Sequence, residues 1–363
     1  MRHGAAARRQ RMRQGAGRGE RDDMIKLQIT ENDDRQRLDR FLRKYFKNAP
    51  LSRIYKMIRK DVKLNGKRAG EDTMLCAGDE LTVYISEEEA ESLCRSRRPA
   101  GVKKQFRIAY EDENIIVVEK PFGLLVHGDE REKKNTLANQ VVDYLIEKGD
   151  YVPRRERTFV PSPVNRLDRN TTGLVLFGKN SRTLQSLNRM MREKGYVEKY
   201  YLTIVSGRLQ KPLVLSDYLT KDHDKNIVKV WRDKDPSGNE GKAIETIARP
   251  VAWAKGFTLV EVELVTGRTH QIRAHMQKAG YPVIGDEKYG DPAVNARIRR
   301  EYGLSTQFLH AYRLAFSSAL PPLEYLAGKT VTAPLTDFME TIRAGIFQGD
   351  FDEMMNRTGI DRR

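Results

Sequence analysis

The apolar runs of this chain are short, which limits the folds that it can adopt. The strongest runs, at residues 115–118 and 174–177, have the length of buried strands. Such segments mix irregularly with turns and helical patterns to about residue 345, so the sequence predicts an α+β fold rather than a regular βαβ series. No run is long enough to cross a membrane as a helix, and the N-terminal arginines lack the apolar stretch of a signal peptide. We therefore expect a cytoplasmic protein.

Length and composition predict two domains among the 363 residues, with three further segments. Residues 1–23 are rich in Arg, Gly and Ala and are predicted to be a disordered basic tail, with Met24 as a second possible start. Residues 24–86 form a small basic module, and residues 87–104 run from acidic to basic as a linker. Residues 105–345 are predicted to form the larger domain, and residues 346–363 a C-terminal tail.

The small module is predicted to contain two amphipathic helices and a short sheet. Its second helix buries Ile54, Met57 and Ile58, and Asn65 with Gly66 has the composition of a tight turn between strands. The basic side chains of this helix and of the segment after it are Arg53, Lys56, Arg59, Lys60 and Lys63. They indicate contact with a polyanion, although a solvated charged surface is an equally good explanation of the charges alone.

The chain has an excess of basic residues that does not come from its tail. Its formal net charge is +16, with a pI near 9.7, and residues 1–23 contribute seven arginines and three acids to it. The remainder of the chain is therefore still strongly basic. Such an excess favours a polyanionic partner, either nucleic acid or an anionic membrane surface.

No motif for a metal or a nucleotide cofactor is present in the sequence. The only cysteines, Cys76 and Cys94, match neither a metal-ligand spacing nor a disulfide framework. His270 and His275 are five positions apart, whereas ligands on one helix face need three or four. We found no G-x-G-x-x-G after a strand, no Walker loop and no G-x-S-x-G elbow. We expect an activity without metal or cofactor.

One acid stands in a distinctive setting, in the stretch PVNRLDRNTTGLVLFGKN. Asp168 lies between Arg166 and Arg169, just ahead of a polar turn and an apolar strand. If the segment is extended, Arg166 and Asp168 share one face while Asn165 and Leu167 share the other. A surface ion pair with either arginine is the simplest structural explanation, and a functional carboxylate at the rim of the sheet is the alternative.

Two further segments provide candidate partners for this acid. GFTLVEVELVTGRTHQIRAHM predicts a strand, a Thr-Gly turn and a helix starting near Thr269 that buries Ile272 and Met276. Arg268 lies at the turn, from which an arginine could reach a carboxylate at a neighbouring strand end and favour its ionised form. In VEKYYLTIVSG, Tyr200 and Tyr201 point to opposite faces of a strand, so at most one of them lines a site with the acid.

Together these segments resemble the RluA-type family of RNA pseudouridine synthases. The family's H-R-L-D-x-x-T-S/T-G-L motif matches NRLDRNTTGL, and K-x-Y-x-x-x-V-x-G matches residues 199–207. T-G-R-T-H-Q-I-R-x-H followed by G-D-x-x-Y-G matches residues 266–275 and 285–290, so the resemblance covers about residues 105–340. Asn165 stands where the family usually has histidine. Since an extended segment places it opposite Asp168, we expect Asn165 to orient the segment rather than transfer protons.

The resemblance implies a catalytic domain with a mixed, largely antiparallel sheet flanked by helices and loops. It implies isomerisation of uridine to pseudouridine without a cofactor, with Asp168 as the essential carboxylate, acting as a nucleophile on the sugar or as a base. Arg268 is then expected to pair with Asp168, and Tyr201 to stack on the uracil. Arg166 is expected to enter the space that the extruded uridine leaves in the RNA.

The small module resembles the alpha-L RNA-binding motif shared with a small-subunit ribosomal protein, which implies that its basic residues contact RNA. Family members with this module mostly act on large-subunit ribosomal RNA, which is the expected substrate, with transfer RNA as the alternative. We expect a monomer that binds RNA and neither DNA nor a membrane. A non-catalytic ribosome-assembly factor is a second possibility, and a glycoside hydrolase would need a second acid that the motifs do not supply.

Overall fold

The computed structural model describes residues 23–94, 103–153, 158–222, 227–232, 240–349 and 351–357, and the chain divides into two compact units, Met1–Arg98 and Pro99–Arg363. The predicted basic tail, apart from residue 23, lies outside the described residues. The predicted linker is wrong in its first half, because residues 87–94 form a helix whose Ala90 is buried in the first unit. The predicted C-terminal tail also contains structure, since residues 351–357 form a helix that buries Met355.

The described part of the first unit contains three α-helices and a three-stranded antiparallel sheet in the order β1-β3-β2. Its elements are β1 (Ile25–Gln28), α1 (Leu38–Tyr45), α2 (Leu51–Lys60), β2 (Val62–Leu64), β3 (Glu80–Val83) and α3 (Glu87–Cys94). The predicted apolar stripe of α2 is confirmed, with Ile54, Met57 and Ile58 in the core. Asn65 and Gly66 both have positive φ, at 48° and 76°, as a tight turn with this sequence requires.

The second unit contains most of the secondary structure. Its strands are β4 (Arg107–Glu111), β5 (Ile115–Lys120), β6 (Ser162–Pro163), β7 (Thr172–Gly178), β8 (Val197–Ser206), β9 (Leu213–Asp222), β10 (Ile227–Trp231), β11 (Lys242–Ala254), β12 (Phe257–Leu264), β13 (Leu309–Phe316) and β14 (Thr330–Thr332). Its helices are α4 (Leu137–Lys148), α5 (Ser181–Arg192), α6 (Gln271–Lys278), α7 (Pro292–Tyr302), α8 (Asp337–Ile346) and α9 (Phe351–Arg357).

One large sheet organises this unit, with the strand order β10-β9-β11-β12-β8-β13-β7-β5-β4. The described pairings are antiparallel except for β13 with β7, which run parallel. Side chains of β5 alternate between two cores: Ile116 and Val118 pack with α4 and α6, while Ile115 and Val117 pack with α5. Helices therefore cover both faces, and the predicted α+β class is confirmed. Within the described residues, no helix is long and apolar enough to span a bilayer.

The parallel pair β7–β13 brings two backbones unusually close, and glycine makes this approach possible. Gly173 has φ +106°, and a Cβ built on it would lie 2.1 Å from the carbonyl oxygen of Ala311.

We expect Gly173→Ala to lower the free energy of unfolding of the second unit by about 3 kcal/mol through strain and overpacking. Denaturant unfolding followed by tryptophan fluorescence measures this effect, because Trp231 and Trp253 both lie in this unit. Gly267→Ala is the control, since a Cβ there meets nothing within 4 Å. Equal unfolding midpoints for the two variants would contradict the expectation.

A buried histidine on β13 should make stability depend on pH. His310 lies between the Thr172 hydroxyl, 2.7 Å from Nδ1, and the Ala333 carbonyl, 3.2 Å from Nε2. Burial lowers the pKa of His310 to about 4, whereas histidine in an unfolded chain titrates near 6.5. The unfolded chain therefore binds more protons between these values, and the contribution of His310 is present above about pH 6.5 and lost as the pH falls towards 4. That loss is on the order of 3 kcal/mol.

The test compares denaturant unfolding of the wild type and His310→Asn between pH 7 and 4.5. The variant should be less stable at pH 7 but lose less stability on acidification, because it lacks the titrating group. Parallel curves for the two proteins would show that His310 does not produce the pH dependence.

Candidate active site

Asp168 lies on a short connection between β6 and β7, and its neighbours fix the backbone on both sides. Leu167 is buried, and the Thr171 N–H donates to the Asp168 carbonyl at 3.1 Å. The Asn165 side chain is bound to β7, donating to the Leu174 carbonyl at 3.1 Å and accepting from the Leu176 N–H at 2.9 Å. The contacts of Asn165 thus agree with the orienting role expected from the sequence. The Asp168 side chain itself remains 25% exposed.

A buried arginine on α6 binds this carboxylate. Arg273 Nη1 donates to Asp168 Oδ2 at 2.9 Å, while its Nε and Nη2 donate to Asp286 Oδ2 and Oδ1 at 2.6 and 2.8 Å. Arg273 and Asp286 are both buried. Burial alone would lower the pKa of Arg273, but the hydrogen bonds and charge of Asp286, together with Asp168, raise it. The guanidinium therefore stays charged between two carboxylates.

The predicted pairing of Arg268 with Asp168 is wrong. Arg268 lies on the turn ahead of α6, and its side chain is exposed. Its described contacts are made by the backbone, whose N–H donates to Gln271 Oε1 at 3.0 Å and whose carbonyl accepts from the Gln271 N–H at 3.1 Å. A residue on the turn was expected to reach across to the acid. Helix α6 is buried on every side over residues 271–276, so the arginine within the helix points inwards and needs an acidic partner. In the run Q-I-R-A-H-M, Arg273 shares the helix with the polar Gln271 and His275, and no local pattern marks it as the partner of Asp168.

The polar side chains of α6 anchor the helix to the sheet. Gln271 Nε2 donates to the Glu245 carbonyl and to Thr246 Oγ1, each at 3.0 Å. His275 contacts Thr246 Oγ1 through Nδ1 and Asp217 Oδ2 through Nε2, both at 3.0 Å. His275 therefore has a structural partner at each ring nitrogen. Among the described residues, no group of side chains is arranged to hold a metal ion.

A buried lysine supports the loop on the other side of Asp168. Lys120 Nζ donates to the carbonyl oxygens of Pro121, Leu124 and Arg169, at 2.8 to 2.9 Å. Burial lowers the pKa of Lys120 to about 7, and the charge of Asp168 opposes that shift. Because the Arg169 carbonyl follows Asp168 in the chain, Lys120 fixes the backbone that carries the acid. Lys120 is not among the site residues predicted from the sequence.

Of the two tyrosines on β8, only Tyr201 lies with Asp168. Tyr201 is buried in the core under α6, and burial together with the charge of Asp168 raises its pKa. Tyr200 points to the other face, where its hydroxyl donates to Glu198 at 2.7 Å and its ring lies under Arg313. The strand alternation that predicted this division is confirmed.

The candidate RNA-binding residues have different surroundings. Arg166 is exposed and lies close enough to His127 to lower its pKa, after the larger effect of burial. On the first unit Lys56, Arg59 and Lys60 are exposed. Arg53 instead donates to Glu89 at 2.5 Å, and the Lys63 ammonium lies over the Tyr84 ring, 5.2 Å from its centroid. The freely exposed cations of α2 are thus those in its second half.

Alanine substitutions distinguish the role of the buried Arg273 from that of the exposed Arg268 on the turn. Arg273→Ala would leave the buried Asp286 without its cation, and we expect a loss of roughly 3 to 5 kcal/mol in the free energy of unfolding. Arg268→Ala removes an exposed side chain and should change stability by less than about 0.5 kcal/mol. Denaturant unfolding followed by tryptophan fluorescence compares the two. Similar losses in both variants would be inconsistent with the geometry.

Comparison with known proteins identifies the family of this chain. The family model described as RNA pseudouridylate synthase matches residues 114–278. Ribosomal large subunit pseudouridine synthase C of Vibrio vulnificus is 32% identical over 87% of this chain and 96% of its own length. Its counterpart in Escherichia coli is 36% identical over 80% of this chain and 87% of its own length. The solved structure of human RNA pseudouridylate synthase domain containing 4 covers 65% of this chain at 21% identity, with a TM-score of 0.49. On the strength of the two bacterial relatives, the chain belongs to the RluA-type family of RNA pseudouridine synthases.

Proposed function

We propose that this enzyme converts uridines of large-subunit ribosomal RNA to pseudouridine, with Asp168 as the essential carboxylate. The substrate is supported by the names of the bacterial relatives, which match nearly their whole length, and by the net charge of +16. Transfer RNA is the alternative substrate. Action in the cytoplasm as a monomer remains a prediction from the sequence.

The reaction needs few chemical groups. The bond between the ribose C1′ and N1 of the base breaks, the uracil turns while bound, and C1′ bonds to C5. The hydrogen on C5 leaves as a proton and N1 gains one, so atoms and electrons balance without any co-reactant. A single carboxylate can serve this sequence, either as a nucleophile on the sugar or as a base that removes a sugar proton.

The observation that carries the proposal is the asymmetric environment of the Asp168 carboxylate. Oδ2 accepts from Arg273, whereas no hydrogen bond or ion pair of a described residue involves Oδ1. The side chain is 25% exposed, so a nucleotide can reach it. The Arg273 guanidinium stabilises the negative charge and fixes the plane of the carboxylate. Oδ1 is then the oxygen presented to the uridine.

Tyr201 is proposed to provide the surface on which the uracil stacks. Its raised pKa keeps the phenol protonated at neutral pH, so it offers a ring face and an O–H group rather than an anion. Its burial below α6 fixes the ring next to the acid. A stacked base can turn in its own plane without losing this contact, which suits a reaction that exchanges N1 for C5.

Binding is proposed to depend on exposed cations in both units. The uridine must leave its stack before Oδ1 can reach the sugar, which costs a few kcal/mol in paired RNA and less in loops. Arg166 is exposed next to Asp168 in the chain and can stack in the vacated space through its planar guanidinium. Lys56, Arg59 and Lys60 on α2 would contact phosphates, which adds affinity without choosing a sequence.

The catalytic assignment is tested with Asp168→Asn, which keeps the size of the side chain and removes its charge. We expect pseudouridine formation to fall by about 1,000-fold or more, because both chemical routes need the carboxylate. RNA affinity, measured by filter binding, should stay within about threefold, because the phosphate contacts lie elsewhere. Pseudouridine formation by this variant at the wild-type rate would contradict the assignment of Asp168 as the essential carboxylate.

The substrate is tested by mapping pseudouridines in RNA from cells with and without the gene. Loss of pseudouridine sites in large-subunit ribosomal RNA supports the proposal. Loss of sites in transfer RNA alone would show that transfer RNA is the substrate instead. If no site disappears, the non-catalytic assembly factor becomes the better explanation. Release of free uracil from RNA by the purified protein would instead indicate a hydrolase.

A further inference from the structure

The side chain of His270 also lies near the proposed catalytic carboxylate, and the backbone of His270 is strained. His270 precedes α6 with φ 54° and ψ 14°, the left-handed region that non-glycine residues seldom adopt. Its side chain is only 8% exposed and makes no capping hydrogen bond to the helix. Serine or aspartate would cap α6 better, so capping does not explain this residue. Strain of this kind is found where the surroundings hold a residue for a function.

The contacts of the ring define which nitrogen carries the proton. His270 Nδ1 lies 3.0 Å from the Tyr289 hydroxyl, which accepts the Val228 N–H of β10 at 2.8 Å. Because the hydroxyl oxygen already accepts one N–H, we assign the phenolic proton to the contact with Nδ1, and the proton of the neutral imidazole to Nε2.

Nε2 faces the oxygen of Asp168 that Arg273 also holds. It lies 3.8 Å from Asp168 Oδ2, just outside hydrogen-bond range, whereas Arg273 Nη1 lies 2.9 Å from the same atom. The other charged groups that act on His270 are Asp286 and Lys288. Burial, helped by Arg273 and Lys288, lowers the pKa of His270 against the attraction of Asp168 and Asp286. The ring is therefore neutral at physiological pH and acts as a donor.

We propose that His270 is a positioning residue for Asp168: its Nε2–H closes onto Oδ2 when RNA binds, so that Oδ1 points at the sugar. The inference rests on the proposed role of Asp168 and adds a second donor to it. Two donors on one oxygen prevent the carboxylate from rotating about its Cβ–Cγ bond, which a single hydrogen bond does not. Tyr289, fixed by β10, determines which ring nitrogen is the donor.

Two substitutions of His270 separate this role from a structural one. Asparagine tolerates the left-handed backbone but is too short to reach Oδ2, whereas glutamine places an amide N–H close to the position of Nε2. We expect His270→Asn to lower the single-turnover rate by about 10- to 100-fold, with RNA affinity within about twofold of the wild type. His270→Gln should recover most of the rate.

A third variant tests the proton assignment. Tyr289→Phe removes the hydroxyl that directs the proton to Nε2, so it should lower the single-turnover rate by less than His270→Asn does. The double variant should be no slower than His270→Asn, because both changes act through the same donor. Multiplicative losses would show that Tyr289 acts independently and would overturn this link.

The outcomes are distinct from those of the Asp168 experiment. If Asp168→Asn abolishes turnover while His270→Asn keeps the wild-type rate, the inference about His270 fails and the proposed function stands. If His270→Asn and His270→Gln are equally slow and bind RNA equally poorly, the residue is structural and the inference is overturned. If Asp168→Asn is fully active, the catalytic assignment fails, and this inference fails with it.

Discussion

The proposed active site depends on one buried guanidinium that lies between two carboxylates. Removing the charges of Arg273 and Asp286 from water is expensive, and the cost is recovered only when the hydrogen bonds are well aligned. The alignment here is good: Asp286 accepts Nε and Nη2 of Arg273 and also the backbone N–H groups of Lys288 and Tyr289. Asp286 thus holds one edge of the guanidinium, and Nη1 remains for Asp168. The donors of a guanidinium are fixed in one plane, so the pair with Asp286 also fixes the direction in which Nη1 points, which the rotatable ammonium of a lysine would not do.

The rigidity of this arrangement comes from elements distant in sequence. Helix α6 carries Arg273 and is attached to β9 and β11 through His275 and Gln271. The loop of Asp168 is held by Lys120 at its C-terminal side and enters β7 beside β13. Gly173 permits that parallel pair to come close. Asp168 is therefore partly exposed on a backbone that the buried Leu167 and the hydrogen bond from Lys120 hold in place, which combines access for a nucleotide with fixed geometry.

Much of the fold could be predicted from local patterns, but the partner of the acid could not. Strand alternation correctly separated Tyr200 from Tyr201, and helical periodicity correctly placed Ile272 and Met276 in the core. Both are short-range regularities of backbone geometry. The choice between Arg268 and Arg273 depends instead on which one faces Asp168, on a connection about a hundred residues away in sequence. The prediction that residues 87–94 belong to a linker was wrong for a related reason. The sequence of α3 is strongly charged, and only a few apolar contacts, such as that of Ala90, fix this helix to the first unit.

The positive charge of the protein and the geometry of its active site must contribute differently to selectivity. In the proposed function, exposed cations such as Lys56, Arg59 and Lys60 would bind phosphate wherever it occurs and so raise the affinity for all RNA alike. Asp168 would meet a nucleotide only after that nucleotide has left its stack, at a cost that the structure of the RNA sets. Since that cost is smallest at loops and weakly paired positions, the RNA itself restricts which uridines reach Oδ1. A strongly basic surface is compatible with a selective enzyme for this reason: it concentrates the enzyme on RNA, and the extrusion step then discriminates among sites.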